Sequence, residues 1–147
     1  MERHIKLIVE ERDAFAGGRT FGDTGPYERL VGHVELAVDP DAPEHQAVVD
    51  LDKAPRNGQG LVEFSADLSL LKPVDLERSN QRLFFDFGNR GGKRALVMFN
   101  DAPASGCNHP AAPEDAGSGF LMRRGYAVVW TAWEGDILPG DGRMTID

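Results

Sequence analysis

The sequence predicts an α/β fold in which a β-rich antiparallel meander leads into a first βαβ unit. Three observations predict it. Residues 1–75 hold apolar runs, partly alternating, separated by Gly- and Pro-rich turns, the pattern of half-buried antiparallel strands. Two later segments, 82–87 and 126–133, are densely apolar, which suits strands covered on both faces, as in parallel sheets. Between them lie a glycine-rich loop, a Pro-rich stretch and two short helical patterns, the contents of a crossover connection.

Taken in order, the short apolar run at 5–10 is the first strand. Residues 15–27 carry Gly17, Gly18, Gly22, Gly25 and Pro26 and read as loop. Residues 30–38 alternate in part and place Val34, Leu36 and Val38 on one face. Asp39-Pro40-Asp41-Ala42-Pro43 ends that strand. Residues 47–51 read as another short strand, and Pro55-Arg56-Asn57-Gly58 as a turn. Residues 61–71 alternate again and are closed by Pro73. The dense strand Arg82-Leu83-Phe84-Phe85-Asp86-Phe87 then runs into Gly88-Asn89-Arg90-Gly91-Gly92-Lys93. Residues 94–99 read as a helical turn and 100–113 as a long loop. A short helix is expected to start near Ser118, with Phe120, Leu121 and Met122 offered for its buried side, and to stop at a left-handed cap on Gly125. The last strand is 126–133.

Residues 1–75 thus form a β-rich part and 76–147 the start of an α/β core, within one continuous domain. The segment 134–147 is too short and turn-rich for another crossover, which takes ~30 residues. Strand 127–133 is therefore expected to keep an open side. An unpaired edge beside an apolar face is a template for association, so a homo-oligomer or a second chain completing the sheet is expected. The other reading is that the meander folds back and covers this strand.

The net charge of -8 argues against a nucleic-acid partner, whose affinity rests on basic groups. No stretch approaches the ~20 apolar residues of a membrane helix, and the N-terminus has no signal-peptide pattern. Both fit a cytoplasmic protein with no membrane partner. Cys107 is the one cysteine, so neither an internal disulfide nor a thiolate metal cluster is available. The histidines His4, His33, His45 and His109 are scattered and form no ligand pair, so neither metal nor cofactor is expected.

The glycine-rich loop after strand 82–87 has two readings. Glycines there let backbone N–H groups face outward and stabilise an oxyanion; the same glycines also suit a tight turn into a crossover. Asn89, Arg90, Gly91 and Gly92 are the candidates. The loop is not a phosphate-binding Walker sequence, since Arg94 follows Lys93 where Ser or Thr is needed. Asp86-Phe87-Gly88 spells the kinase magnesium tripeptide but has no His-Arg-Asp loop before it. At the end of the last strand, Trp130 reads as core. Trp133 either caps it or, with Asp136, lines a pocket mouth beyond the strand's carboxyl end. None of Ser65, Ser69, Ser79, Ser105 and Ser118 sits in a Gly-x-Ser-x-Gly elbow. Cys107 and His109 are too close in sequence to face one another as nucleophile and base, and no third group orients them. No residue is assigned a catalytic role.

Several blocks in order carry a family resemblance: Phe21-Gly22-Asp23-Thr24-Gly25-Pro26-Tyr27-Glu28, Val49-Asp50-Leu51-Asp52-Lys53-Ala54-Pro55-Arg56-Asn57, Leu71-Lys72-Pro73, Gly88-Asn89-Arg90-Gly91, Asn100-Asp101-Ala102-Pro103, Gly119-Phe120-Leu121-Met122-Arg123-Arg124-Gly125-Tyr126 and Trp133-Glu134-Gly135-Asp136. Together they resemble a poorly characterised bacterial family of α/β-hydrolase domain proteins, from about residue 15 to residue 136. The resemblance implies the N-terminal portion of an α/β-hydrolase-type sheet, incomplete in this chain. It places the loop at Gly88 where such enzymes often put an oxyanion donor. Longer relatives would hydrolyse esters or similar acyl bonds, with serine elbow, acid and histidine after position 147. The chain alone is then expected to be inactive. The alternative is a non-catalytic β-rich module that binds a partner or ligand.

Overall fold

One open sheet of five strands organises the computed structural model, which describes residues 4–147. The strands are β1 (His4–Ala14), β2 (Tyr27–Val38), β3 (Val62–Pro73), β4 (Leu83–Phe85) and β5 (Ala127–Thr131). Their spatial order is β1-β2-β3-β5-β4. The pairs β1/β2, β2/β3 and β3/β5 are antiparallel, and β4/β5 is parallel. The fold is mixed α/β, a meander followed by a parallel crossover. That crossover contains the short helices α1 (Ala95–Asn100) and α2 (Phe120–Arg123), with a 3₁₀ turn at Pro113–Ala116 before α2.

The meander depends on one glycine. The register of β1 on β2 slips between Val9 and Glu11, opposite Gly32. A Cβ on Gly32 would lie 1.9 Å from the Ile8 carbonyl oxygen. Only glycine admits so close a backbone at this bulge.

Cross-strand register sorts the side chains into two faces, because opposed residues point the same way. Phe84, Val128, Leu71 and Arg29 lie in register on one face. The crossover packs here: Leu96 of α1 and Leu121 and Met122 of α2 join Tyr27, Leu71, Val128 and Trp130 in the core. Phe15 and Phe21, from the loop between β1 and β2, close it. Tyr27 is fully buried, and its hydroxyl donates to the carbonyls of Met122 (3.1 Å) and Tyr126 (2.9 Å), so a polar atom enters the core already paired. Buried Asn100 does the same between the helices: it donates to the Ala116 carbonyl at 3.0 Å and accepts from the Leu121 amide at 3.0 Å.

On the opposite face Phe85, Val129, Leu70 and Leu30 are in register. This face stays open at both margins. Ile5 on β1 is 61% exposed, and on the β4 side Leu83 is 60% and Phe85 45% exposed.

Four sequence expectations are corrected. Residues 47–51 form no strand. The chain there runs through successive three-residue turns, His45 N–H to Ala42 O, Val48 N–H to His45 O and Leu51 N–H to Val48 O, so its backbone groups are satisfied locally. Strand β5 has no open side, because it inserts between β3 and β4 and leaves β4 as the edge. The densely apolar run at 82–87 forms a strand only over Leu83–Phe85; the Arg82 carbonyl and the Asp86 amide still bond to Ala127 and Val129 of β5, and the Asp86 and Phe87 side chains turn to other contacts. Ser118 does not cap α2. The cap position is Gly119, in the left-handed region with φ of 71°, a conformation that serine adopts only at a cost.

The segment 134–147 returns to β3 in line with β5. Ser65 and Asp147 exchange backbone hydrogen bonds, and Asp67 N–H donates to the Thr145 carbonyl. Thr145 also donates to the Asp67 carboxylate, by its amide at 2.8 Å and its hydroxyl at 3.1 Å. No helix among the described residues is long and apolar enough to cross a membrane.

Candidate functional site

Strands β4 and β5 are parallel, so their carboxyl ends point the same way, and the segments that follow them meet. Asp86, just past β4, organises the junction. One of its carboxylate oxygens accepts from the amides of Arg94 (2.8 Å) and Ala95 (2.7 Å) and from the Trp130 indole N–H (2.5 Å). The first turn of a helix leaves amides without intrahelical partners. Arg94, at the cap of α1, supplies no side-chain acceptor, and Asp86 supplies it from the strand instead.

Between Asp86 and α1 the loop 88–93 is built as a tight turn. Gly92 N–H donates to the Asn89 carbonyl at 3.1 Å. The two central residues, Arg90 (φ 54°) and Gly91 (φ 70°), are both left-handed, as in a type I′ turn. For Arg90 that conformation costs roughly 1–2 kcal/mol. At Gly88 a Cβ would sit 2.1 Å from the Gly92 carbonyl oxygen, so glycine is needed where the loop closes on itself. The returning segment braces the turn, with Met144 N–H donating to the Gly91 carbonyl at 2.9 Å.

The loop's amides are unevenly used. Gly88 donates to the Asp86 carbonyl, Gly92 to Asn89, and Lys93 to the Asn108 side chain at 2.9 Å. The amides of Asn89, Arg90 and Gly91 have no acceptor among the described residues. Amides without an acceptor at such a turn can receive an anionic or developing oxyanion oxygen where they reach solvent; Asn89 and Arg90 are exposed, whereas Gly91 is buried against the returning segment.

The segment after β5 lies against this turn. Arg90 places one guanidinium nitrogen 2.8 and 2.9 Å from the two carboxylate oxygens of Asp136. The mutual hydrogen bond raises the Arg90 pKa and holds the Asp136 carboxyl below its ordinary value. Both groups are solvent-exposed, so the pair orients the loop more than it stabilises the fold. The same Arg90 nitrogen is 3.7 Å from Glu134 Oε2, a buried carboxylate oxygen with no hydrogen-bond partner. Trp133 donates its indole N–H to the Gly88 carbonyl at 2.6 Å and stacks on Phe87 with ring centroids 4.8 Å apart. The half-exposed aromatics Phe85, Phe87 and Trp133 make an apolar wall beside the turn.

Of the residues singled out from the sequence, Arg90, Gly91, Trp133 and Asp136 come together here, while Asn89 and Gly92 supply the hydrogen bond that closes the turn. Trp130 is core and Trp133 lies at the rim. Cys107 and His109 do not hydrogen-bond each other: the thiol lies 3.9 Å from Asn108 Oδ1, and the imidazole packs against Gly142. No serine hydroxyl among the described residues hydrogen-bonds a histidine. Sequence reasoning missed Asp86, Lys93 and Glu134. The signal for Asp86 was a lone carboxylate inside a run of phenylalanines.

Comparison of the chain with protein-family models, with curated proteins and with solved structures found no match.

Proposed function

We propose that this chain is the N-terminal portion of an α/β-hydrolase-family protein whose full-length relatives hydrolyse esters or similar acyl bonds, and that the turn at 88–92 is its oxyanion-side element. The observation that carries the reading is the turn itself: braced by the Met144 amide, at the carboxyl end of a parallel strand, with the amides of the exposed Asn89 and Arg90 lacking an acceptor among the described residues. Ligands of open α/β sheets bind at that end of the strands. A meander leading into a parallel crossover, the order in which an α/β-hydrolase sheet opens, supports it further.

The turn supplies only half of an acyl-transfer site. Covalent ester hydrolysis also needs a nucleophile, a base and an orienting group. The chain alone is therefore expected not to turn over a p-nitrophenyl ester above buffer and not to react with a fluorophosphonate. Fluorophosphonate-sensitive turnover would overturn the reading. Coding sequence downstream of Asp147 is expected to carry a Gly-x-Ser-x-Gly elbow.

A second reading, a non-catalytic module that binds another chain, is favoured by the open apolar face. Leu83, Phe85 and Phe87 lie on or beside the edge strand β4 and are 60%, 45% and 65% exposed. An apolar face beside an unpaired edge promotes association. The chain is expected to bind an apolar dye and to associate with rising concentration in light scattering. The double substitution Leu83→Lys, Phe85→Lys should reduce both at least about twofold without changing the far-ultraviolet circular dichroism. A monodisperse monomer that binds no dye would remove this second reading.

A further inference from the structure

We propose that Lys93 is a carbonyl-reactive amine and that the cleft it lines takes a small neutral aldehyde or ketone as a Schiff-base ligand. This goes beyond the oxyanion reading and does not depend on it. The cleft is about 230 Å³ and lies where the meander, the crossover and the returning segment 140–145 meet, with Arg29, Asp67, Ser69, Lys93, His109 and Met144 among its lining residues. With a water taking ≈ 30 Å³ of liquid volume, that space suits a carbonyl compound of several heavy atoms.

The hydrogen bonds around the amine can be met in full by its neutral, nucleophilic form. Lys93 is 7% exposed. Its Nζ donates to two backbone carbonyls, Asn108 at 2.7 Å and Gly142 at 3.1 Å. A neutral amine has two hydrogens for these two acceptors and keeps one lone pair free. An ammonium would carry a third N–H with no acceptor among the described residues. No carboxylate among the described residues forms an ion pair with the amine, although Asp67 and Cys107 lie near enough to favour its charged form against the larger effect of burial. Asp67 is bonded to Thr145, a Glu10 carboxylate oxygen lies 2.9 Å from His33 Nδ1, placed to accept from it, and Glu11 and Asp13 both engage Arg29 at 2.7 Å. His109, Arg29 and Arg143 complete the titratable or charged groups lining the cleft. Burial lowers the Lys93 pKa to about 8, so roughly a tenth of the amine is neutral at pH 7 and about a quarter at pH 7.5, far more than for an ordinary lysine.

In the proposed step the Nζ lone pair attacks the carbonyl carbon and forms a C–N bond. The carbonyl π electrons move to oxygen, which takes up a proton as the amine loses one, giving a carbinolamine. A second proton, taken from solvent, lets the hydroxyl leave as water and gives the protonated imine, which returns that proton to solvent when it becomes neutral. The product is an imine, and the overall change is one carbonyl and one amine to one imine and one water. In its protonated form the imine retains one N–H for a carbonyl already in place.

The test uses the whole chain with propanal and cyanoborohydride at pH 7.5, followed by peptide mass spectrometry. The other lysines, Lys6, Lys53 and Lys72, serve as internal references. Lys93 is expected to be alkylated at least ~tenfold faster than the exposed Lys6 and Lys53, from its larger neutral fraction. That preference should vanish in denaturing urea. Alkylation of Lys93 at or below the rate of Lys6 and Lys53 in the folded chain would overturn the proposal. Because the comparison lies within one unmutated protein, it does not depend on a variant that folds.

Discussion

Replacing Asp86 by alanine is expected to destabilise the fold by about 3 to 5 kcal/mol. The carboxylate satisfies three N–H groups at once, the amides of Arg94 and Ala95 and the Trp130 indole. Leaving one such donor without its acceptor costs about 1–3 kcal/mol, and part of that is recovered where water reaches the half-buried site. For a chain of this size the melting temperature should fall by roughly 10 to 15 °C. The loss is not confined to stability. Asp86 ties the end of β4 to the start of α1 and to β5, so its removal should also release the turn at 88–92. Asp86→Asn keeps one carbonyl oxygen and should recover about half of the difference. Urea denaturation followed by Trp fluorescence measures both variants. A change below about 1 kcal/mol for Asp86→Ala would show that the three donors find other partners.

The second large effect is a rise of stability in mild alkali. The Lys93 pKa falls from 10.5 to about 8 in the folded chain, chiefly because burial disfavours the ammonium. Between those values the unfolded chain binds more protons than the folded one, so stability increases with pH. From pH 7 to pH 10 the gain from this group is about 2 to 3 kcal/mol. Above pH 10 a second group works in the other direction. Burial raises the Tyr27 pKa well above 10, so the unfolded chain loses that proton first and stability falls as pH rises further. The urea midpoint should therefore climb between pH 8 and 10 and then flatten or drop. In Lys93→Met the climb should be absent. A wild-type midpoint that is level or falling across pH 8 to 10 would mean that Lys93 is hydrated in solution.

What the sequence by itself determined is most of the elements and their kinds, with the strand expected at 47–51 the exception. Period-two alternation in 61–71, Pro73 after it and the dense runs at 82–87 and 126–133 mark strands because they report local chemistry: which side chains can face a core, and where proline or glycine interrupts a ladder. The turn at 88–92 was legible for the same reason, since Gly88 and Gly91 stand where the backbone must approach itself or adopt positive φ. The order of strands was not legible. Whether β5 or β4 becomes the edge depends on which strand pairs with β3, a choice made between residues some 60 positions apart. The apolar runs of the two strands look alike in sequence, and only tertiary pairing ranks them. The roles of Asp86, Lys93 and Glu134 were hidden for a related reason. Each is a charged residue whose meaning comes from what folding brings to it: Trp130 and the start of α1 for Asp86, the carbonyls of Asn108 and Gly142 for Lys93, and Arg90 for Glu134. A charge in a loop reads as solvated until burial removes its water, and burial is a property of the assembled structure.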